Sequence, residues 1–351
     1  MSKISAVFLM ATFLVFGNIY AQEITQEDYT KAIELNPNDA KVYANRGNAY
    51  IAKGNLDQAI SDYTKAIELN FNGDNIYYNR GLAYYTKGNL DQAFADYTKA
   101  IELNPNDAKS YNNRGVIYYA RGNFDQAISD CNKAIGLNPG YAEAYVNRGN
   151  AYDNKGNFEQ AIADYTQAIE LNPNLAGAYY ERGLAYKTKG FFEQAIFDFT
   201  KAIEINPNYI AAYYNRGEAY DRRLINFTEA IADYTKVIEI NPNLAEAYFK
   251  RGNAYRNQRK LSQTLSNFLK VKTSPNDAKQ DDQYRAAIAD YTRAIEINPG
   301  FSAAYHNRGD AYFMIKEYDQ AWADVHKAEG LGLAIDPKFL NALKKSSGRD
   351  K

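Results

Sequence analysis

Residues Asp74 to Asp107 read DNIYYNRGLAYYTKGNLDQAFADYTKAIELNPND, and the blocks on either side are near copies of them. An Asn-Arg-Gly type tripeptide sets the register. Its glycines, Gly47, Gly81, Gly115, Gly149, Gly183 and Gly217, stand 34 residues apart. A fixed period of this length marks stacked repeats, each too small to bury its own core. Within the block, Tyr77, Gly81 and Tyr84 share one helical face, and Ala93, Tyr97 and Ala100 share a second. Gly88 suits the left-handed residue that closes the first helix. Asn89, with Gln92 three residues later, predicts a capping box opening the second. Asn104-Pro105 predicts its stop, and Asp107 the cap of the next helix.

The pattern resembles the tetratricopeptide repeat, carried here by Tyr77, Arg80, Gly81, Tyr84, Ala93, Tyr97 and Pro105. The resemblance covers nearly all of the chain after residue 22. It implies an all-α, right-handed superhelical solenoid of antiparallel helix pairs, and a protein-binding role. Arg80 is the departure, because the family pattern has leucine there.

Outward from this block the chain divides as follows. Residues 1–21 carry Lys3, the apolar run Ile4 to Phe16, and Tyr20-Ala21, the layout of a signal peptide cleaved after Ala21. Residues 22–39 match only a second helix. Seven tandem units are expected over 40–277, the last of them degraded, with Arg251 facing Asn267. From Gly252 to Gly309 is 57 residues, 23 more than one period, so 278–301 reads as a truncated repeat whose first helix has lost about 11 residues. An eighth full repeat follows at 302–335, and 336–351 forms a polar capping helix and tail.

Net charge is −1, with both signs spread along the chain. No basic stripe is available for a phosphate backbone, so nucleic acid is not an expected partner. Cys131 is the only cysteine, which rules out an internal disulfide, and it stands where other repeats have tyrosine, a buried position. With the leader, this points to a periplasmic or secreted protein. The two histidines have no metal-ligand spacing, and no phosphate loop or nucleophile elbow is present. Neither enzyme activity nor a cofactor is expected.

Two positions recur. Arg46, Arg80, Arg114, Arg148, Arg182, Arg216, Arg251 and Arg308 stand where the family pattern has leucine. Sixteen residues on, most meet an aspartate, as Arg80 does Asp96, which predicts an ion pair holding each hairpin in register. The residue before the arginine is Asn45, Asn79, Asn113, Asn147, Asn215 or Asn307, interrupted by Glu181 and Lys250. An asparagine amide both donates and accepts, so a row of them suits an extended peptide backbone. The row resembles the asparagine ladder in the repeat region of O-linked N-acetylglucosamine transferases. Equally, these amides can bond the neighbouring helix and order the stack. Tyr78, Tyr85, Tyr119, Tyr180 and Tyr214 are expected beside the row, adding apolar contact.

The carboxylate clamp of chaperone-type repeats needs a lysine before the ladder position, and none stands there. Acidic and basic residues mix along the later first helices, which suits a mildly basic segment. The expected function is a non-enzymatic scaffold binding protein or extended peptide in its groove. The alternative is a membrane-tethered assembly factor of an envelope complex, held by an uncleaved N-terminus. An enzyme ranks third.

Overall fold

The computed structural model describes residues 25–73, 75–223, 226–269 and 278–349. The proposed signal peptide, and the connector expected around Pro275, lie outside them. Eighteen α-helices make up the described residues, divided between two compact units, residues up to 139 and residues from 140 on. The all-α helix-pair solenoid implied by the repeat is the fold found.

The first unit holds α1 (Gln26–Leu35), α2 (Ala40–Ala52), α3 (Leu56–Glu68), α4 (Ile76–Thr86), α5 (Leu90–Leu103), α6 (Ala108–Ala120) and α7 (Phe124–Leu137). Helices α2/α3, α4/α5 and α6/α7 are the pairs, and each first helix also packs on the second helix before it. The second unit holds α8 (Ala142–Asn154), α9 (Phe158–Leu171), α10 (Ala176–Thr188), α11 (Phe192–Ile205), α12 (Ile210–Arg222) and α13 (Phe227–Ile240). It continues with α14 (Ala245–Phe268), α15 (Ala278–Ile297), α16 (Ser302–Met314), α17 (Tyr318–Gly330) and α18 (Pro337–Ser347).

Small residues set the packing distance inside a pair. A Cβ on Gly81 would lie 2.9 Å from Cε1 of Tyr97, and both Tyr97 and Ala93 are fully buried. The tight turn between paired helices uses Gly88 at φ +81°. The capping box expected at Asn89 is not formed: its side chain makes no cap bond. The reason lies in the turn. The Asn89 N–H already donates to the Tyr84 carbonyl at 2.9 Å, so it is not free for the Gln92 side chain. Asp107 does cap α6, accepting from the Lys109 N–H at 3.1 Å.

At the N-terminal end, α1 takes the place of a second helix: Thr30 Oγ1 accepts from Arg46 at 3.2 Å. At the far end, α18 covers α17. Leu343 is buried with Trp322 and Val325, and the Trp322 indole donates to Ser347 Oγ at 3.1 Å.

The interval after residue 245 differs from the sequence expectation. Arg251 does not face Asn267. It pairs with Asp290, with Nε to Oδ2 at 2.8 Å and Nη2 to Oδ1 at 2.7 Å. A Cβ on Gly252 would meet Tyr291 at 2.7 Å, the contact Gly81 makes with Tyr97. Helices α14 and α15 are therefore one pair with an insertion, not a degraded repeat followed by a truncated one. The sequence from Gln258 to Phe268 contains no glycine or proline, so α14 runs on as a helix for 24 residues.

Candidate functional site: the first-helix face

The recurrent arginines are clamps. Arg46, Arg80, Arg114, Arg182, Arg216, Arg251 and Arg308 each give Nε and Nη2 to the two carboxylate oxygens of an aspartate, at 2.7–2.9 Å. Arg148 does the same to Asp164. The aspartates are buried, so the pairing is what makes their charge tolerable there. Sequence reading missed a third partner. The remaining Nη1 reaches back to a threonine on the preceding second helix, as in Arg182 to Thr166 at 2.9 Å and Arg216 to Thr200 at 2.9 Å. That threonine stands 16 residues before the arginine, as the aspartate stands 16 after it in most pairs, 17 for Arg216 and 39 for Arg251. Tyr77 and Tyr84 flank Arg80 within 5.9 Å of the guanidinium carbon, and other pairs repeat this. These side chains join three helices and leave the arginines no free donor fork for a ligand.

The asparagines occupy the adjoining face. In the first unit, Asn79 Nδ2 donates to Asn48 Oδ1 on α2 at 3.1 Å, and the same oxygen accepts from the Tyr63 hydroxyl at 2.7 Å. Asn113 donates to the Tyr97 hydroxyl at 3.4 Å and accepts from Asn112 at 3.2 Å. Asn45 is half-buried. Asn79 and Tyr78 line a cavity of about 370 Å³, together with Asn75, Asp107, Ala108, Lys109 and Asn138. Burial raises the Tyr78 pKa, keeping its hydroxyl a neutral donor. Tyr85 is 39% exposed, and Tyr119 packs on Phe124 with centroids 5.6 Å apart.

In the second unit, Asn307 Nδ2 donates to Asn253 Oδ1 at 2.8 Å, and Tyr291 donates to the same oxygen at 2.8 Å. This repeats the Asn79–Asn48–Tyr63 arrangement. Asn215 donates to the Tyr180 hydroxyl at 3.2 Å and to the Ala211 carbonyl at 2.9 Å, and accepts from Lys187. Asn147 is half-buried on α8, with contacts inside the protein. Burial pushes the Tyr214 hydroxyl up to about 12. The row is therefore uneven. Asn113 and Asn215 use both ends of their amides within the fold, while Asn79 and Asn307 each commit one N–H to the helix before.

Charged groups of the second unit sort into paired and unpaired. Glu218 accepts from Lys187 at 2.9 Å and Lys250 at 2.6 Å. Burial alone would raise its pKa; the bonds from Lys250 and Lys187 outweigh that and hold it below the usual value. Asp310 accepts from Lys260 at 2.8 Å and Arg256 at 3.5 Å. Asp153 and Glu181 have no ion-pair partner among the described residues. Burial raises Asp153 above 3.8; burial, then the Asp153 charge, raises Glu181 above 4.5.

A carboxyl whose pKa rises on folding gives stability that is complete below its unfolded value and lost as pH climbs through its folded value. Asp153→Asn with Glu181→Gln should accordingly raise Tm near pH 7 and give no gain below about pH 4. Thermal melts at both pH values check this. An equal gain at both would show that carboxylate ionisation is not the cause.

Sequence profiles described as tetratricopeptide repeat or TPR repeat match residues 28–61, 47–88, 75–107, 108–141, 142–175, 176–209, 199–231, 226–258 and 279–316. The chain belongs to the tetratricopeptide repeat family. It is similar to the small glutamine-rich tetratricopeptide repeat-containing protein 2 of Saccharomyces cerevisiae, 37% identical over 70 residues, 20% of this chain and 19% of that protein. It is also similar to serine/threonine-protein phosphatase 5 of Mus musculus, 39% identical over 77 residues, 22% of this chain and 15% of the enzyme. The match to the phosphatase covers repeat sequence alone. Less than a quarter of each curated relative's length is matched. Among solved structures, the C-terminal part of a TPR repeat-containing protein from Cytophaga hutchinsonii aligns with 74% of this chain and 97% of its own, at TM-score 0.55 and 22% identity, a likeness of fold.

Proposed function

We propose that this chain is a non-enzymatic protein-interaction scaffold that binds an extended segment of a partner along its first helices. The supporting observation is the cavity lined by Tyr78 and Asn79; Tyr85 is exposed further along the same helix. Asn79 retains amide groups for a backbone, and the two tyrosines supply apolar area with a polar tip. The clamps hold these side chains on a rigid face, so little order has to be imposed on binding. The leader-like composition of residues 1–21 supports an exported, periplasmic or secreted location. No described helix is long and apolar enough to cross a membrane.

A photo-crosslinking residue placed at Tyr85 or Tyr119 in the native host tests the groove. Adducts to a discrete partner are expected there and not from Leu103, an exposed position on a second helix. Adducts from Leu103 alone would reject the groove. The mass of the native protein tests export: it should begin at Gln22, and a mass that includes Met1 would reject cleavage.

A further inference from the structure

We propose that the first-helix face of the second unit takes a basic segment, Asp221 accepting a lysine or arginine side chain beside the Tyr234 hydroxyl, and Asp153 with Glu181 accepting another. This rests on the groove reading above and adds the chemistry of the occupant. Three pairs share a hydrogen bond from the core tyrosine to an asparagine, and the α12/α13 pair keeps the tyrosine but lacks the bond. Tyr63 donates to Asn48 at 2.7 Å, Tyr165 to Asn150 at 2.8 Å, and Tyr291 to Asn253 at 2.8 Å. In the α12/α13 pair, Tyr234 is the equivalent tyrosine, and Glu218 replaces the asparagine. Glu218 is drawn to Lys187 and Lys250 instead.

Tyr234 is 0% exposed, and its hydroxyl has no partner. The charges acting on it most strongly are Asp221 and Glu218. Asp221 Oδ1 is itself buried without a partner, while Asn257 hydrogen-bonds the carboxylate and the Lys250 charge acts on it. An unsatisfied buried polar atom is costly, and two neighbouring ones point to a group that completes them. An ammonium or guanidinium can donate to both the carboxylate oxygen and the phenolic oxygen. An incoming carboxylate would meet Asp221 with like charge.

Selective neutralisation agrees with this. The protein provides its own cations for Glu218 and Asp310, but not for Asp153 and Glu181. Burial, and after it the Asp153 charge on α8, raises the pKa of Glu181 on α10. Tyr180 lies beside Glu181 and packs on Tyr209 with centroids 4.9 Å apart, an aromatic surface suited to the stem of a long basic side chain.

The test uses the full chain and three fluorescent peptides identical except for Lys, Gln or Glu at the same positions. Affinity is read by anisotropy at low and high salt. The Lys peptide is expected to bind about tenfold to a hundredfold tighter than the Gln peptide, and the advantage to fall with salt. Asp221→Asn should remove part of the advantage, and Asp153→Asn with Glu181→Gln a further part, with melts confirming that each variant is folded. A Lys peptide no tighter than the Gln peptide overturns the inference and leaves the groove reading standing if the Gln peptide binds. An advantage kept in the triple variant overturns it too. Failure of all three peptides to bind overturns both.

Discussion

Arg182→Leu is expected to destabilise the protein by about 3–5 kcal/mol, since it leaves a buried carboxylate without its counter-charge. Asp198 is 1% exposed and takes both oxygens' bonds from Arg182, each at 2.8 Å. The same change frees Thr166 on α9 from its 2.9 Å bond. In a stack, each unit leans on its neighbours, so the loss should appear locally before it appears globally. Hydrogen exchange should accelerate in α9, α10 and α11 while α16 and α17 stay protected. Arg182→Met with Asp198→Leu should regain most of the lost stability, because no buried charge remains. Equal losses in the single and double variants would show that the two residues do not act as a pair.

Gly149→Val is expected to cost about 1–3 kcal/mol by overpacking, and more if Tyr165 is expelled. Even a methyl there would lie 2.7 Å from Tyr165 Cε1, and the ring is held by its hydroxyl bond to Asn150. Gly115 provides the contrast. Its Cβ would find Cys131 Sγ and the Ala127 carbonyl at 3.3 Å, because Cys131 replaces the tyrosine of other pairs. Gly115→Ala should shift the urea midpoint much less than Gly149→Ala. Similar shifts would show that the ring contact does not set the helix spacing.

The fold was legible because its determinants repeat at fixed spacing. Gly81 opposite Tyr97, Arg80 opposite Asp96 and the left-handed Gly88 can each be read within one block. The threonine partner was also in the sequence, sixteen residues upstream of every clamp arginine except Arg148, which has Asn132 there, but it belongs to the block before and a single hairpin does not show it. The α14/α15 pair was misread for a related reason. Counting forward from Arg251 assumes continuous spacing, and Asp290 lies beyond an insertion whose length no local pattern encodes.

The candidate site was legible only in outline. The ladder positions and the flanking tyrosines lie on the expected helices. Whether an amide is occupied depends on a side chain about one repeat away: Asn79 finds Asn48, whereas Asn215 finds Tyr180 and Lys187. Substitution at one rung therefore changes what the next rung can offer. Tyr234 illustrates this, since its orphaned hydroxyl follows from the two lysines that claim Glu218.

The inserted segment of the seventh pair has a practical meaning. Arg251 and Asp290 close their bidentate clamp across 39 positions as tightly as other pairs do across 16. Loop-closure entropy rises only with the logarithm of length, so the clamp gives up little for the longer tether. Sequence added between α14 and α15 should therefore weaken this clamp little.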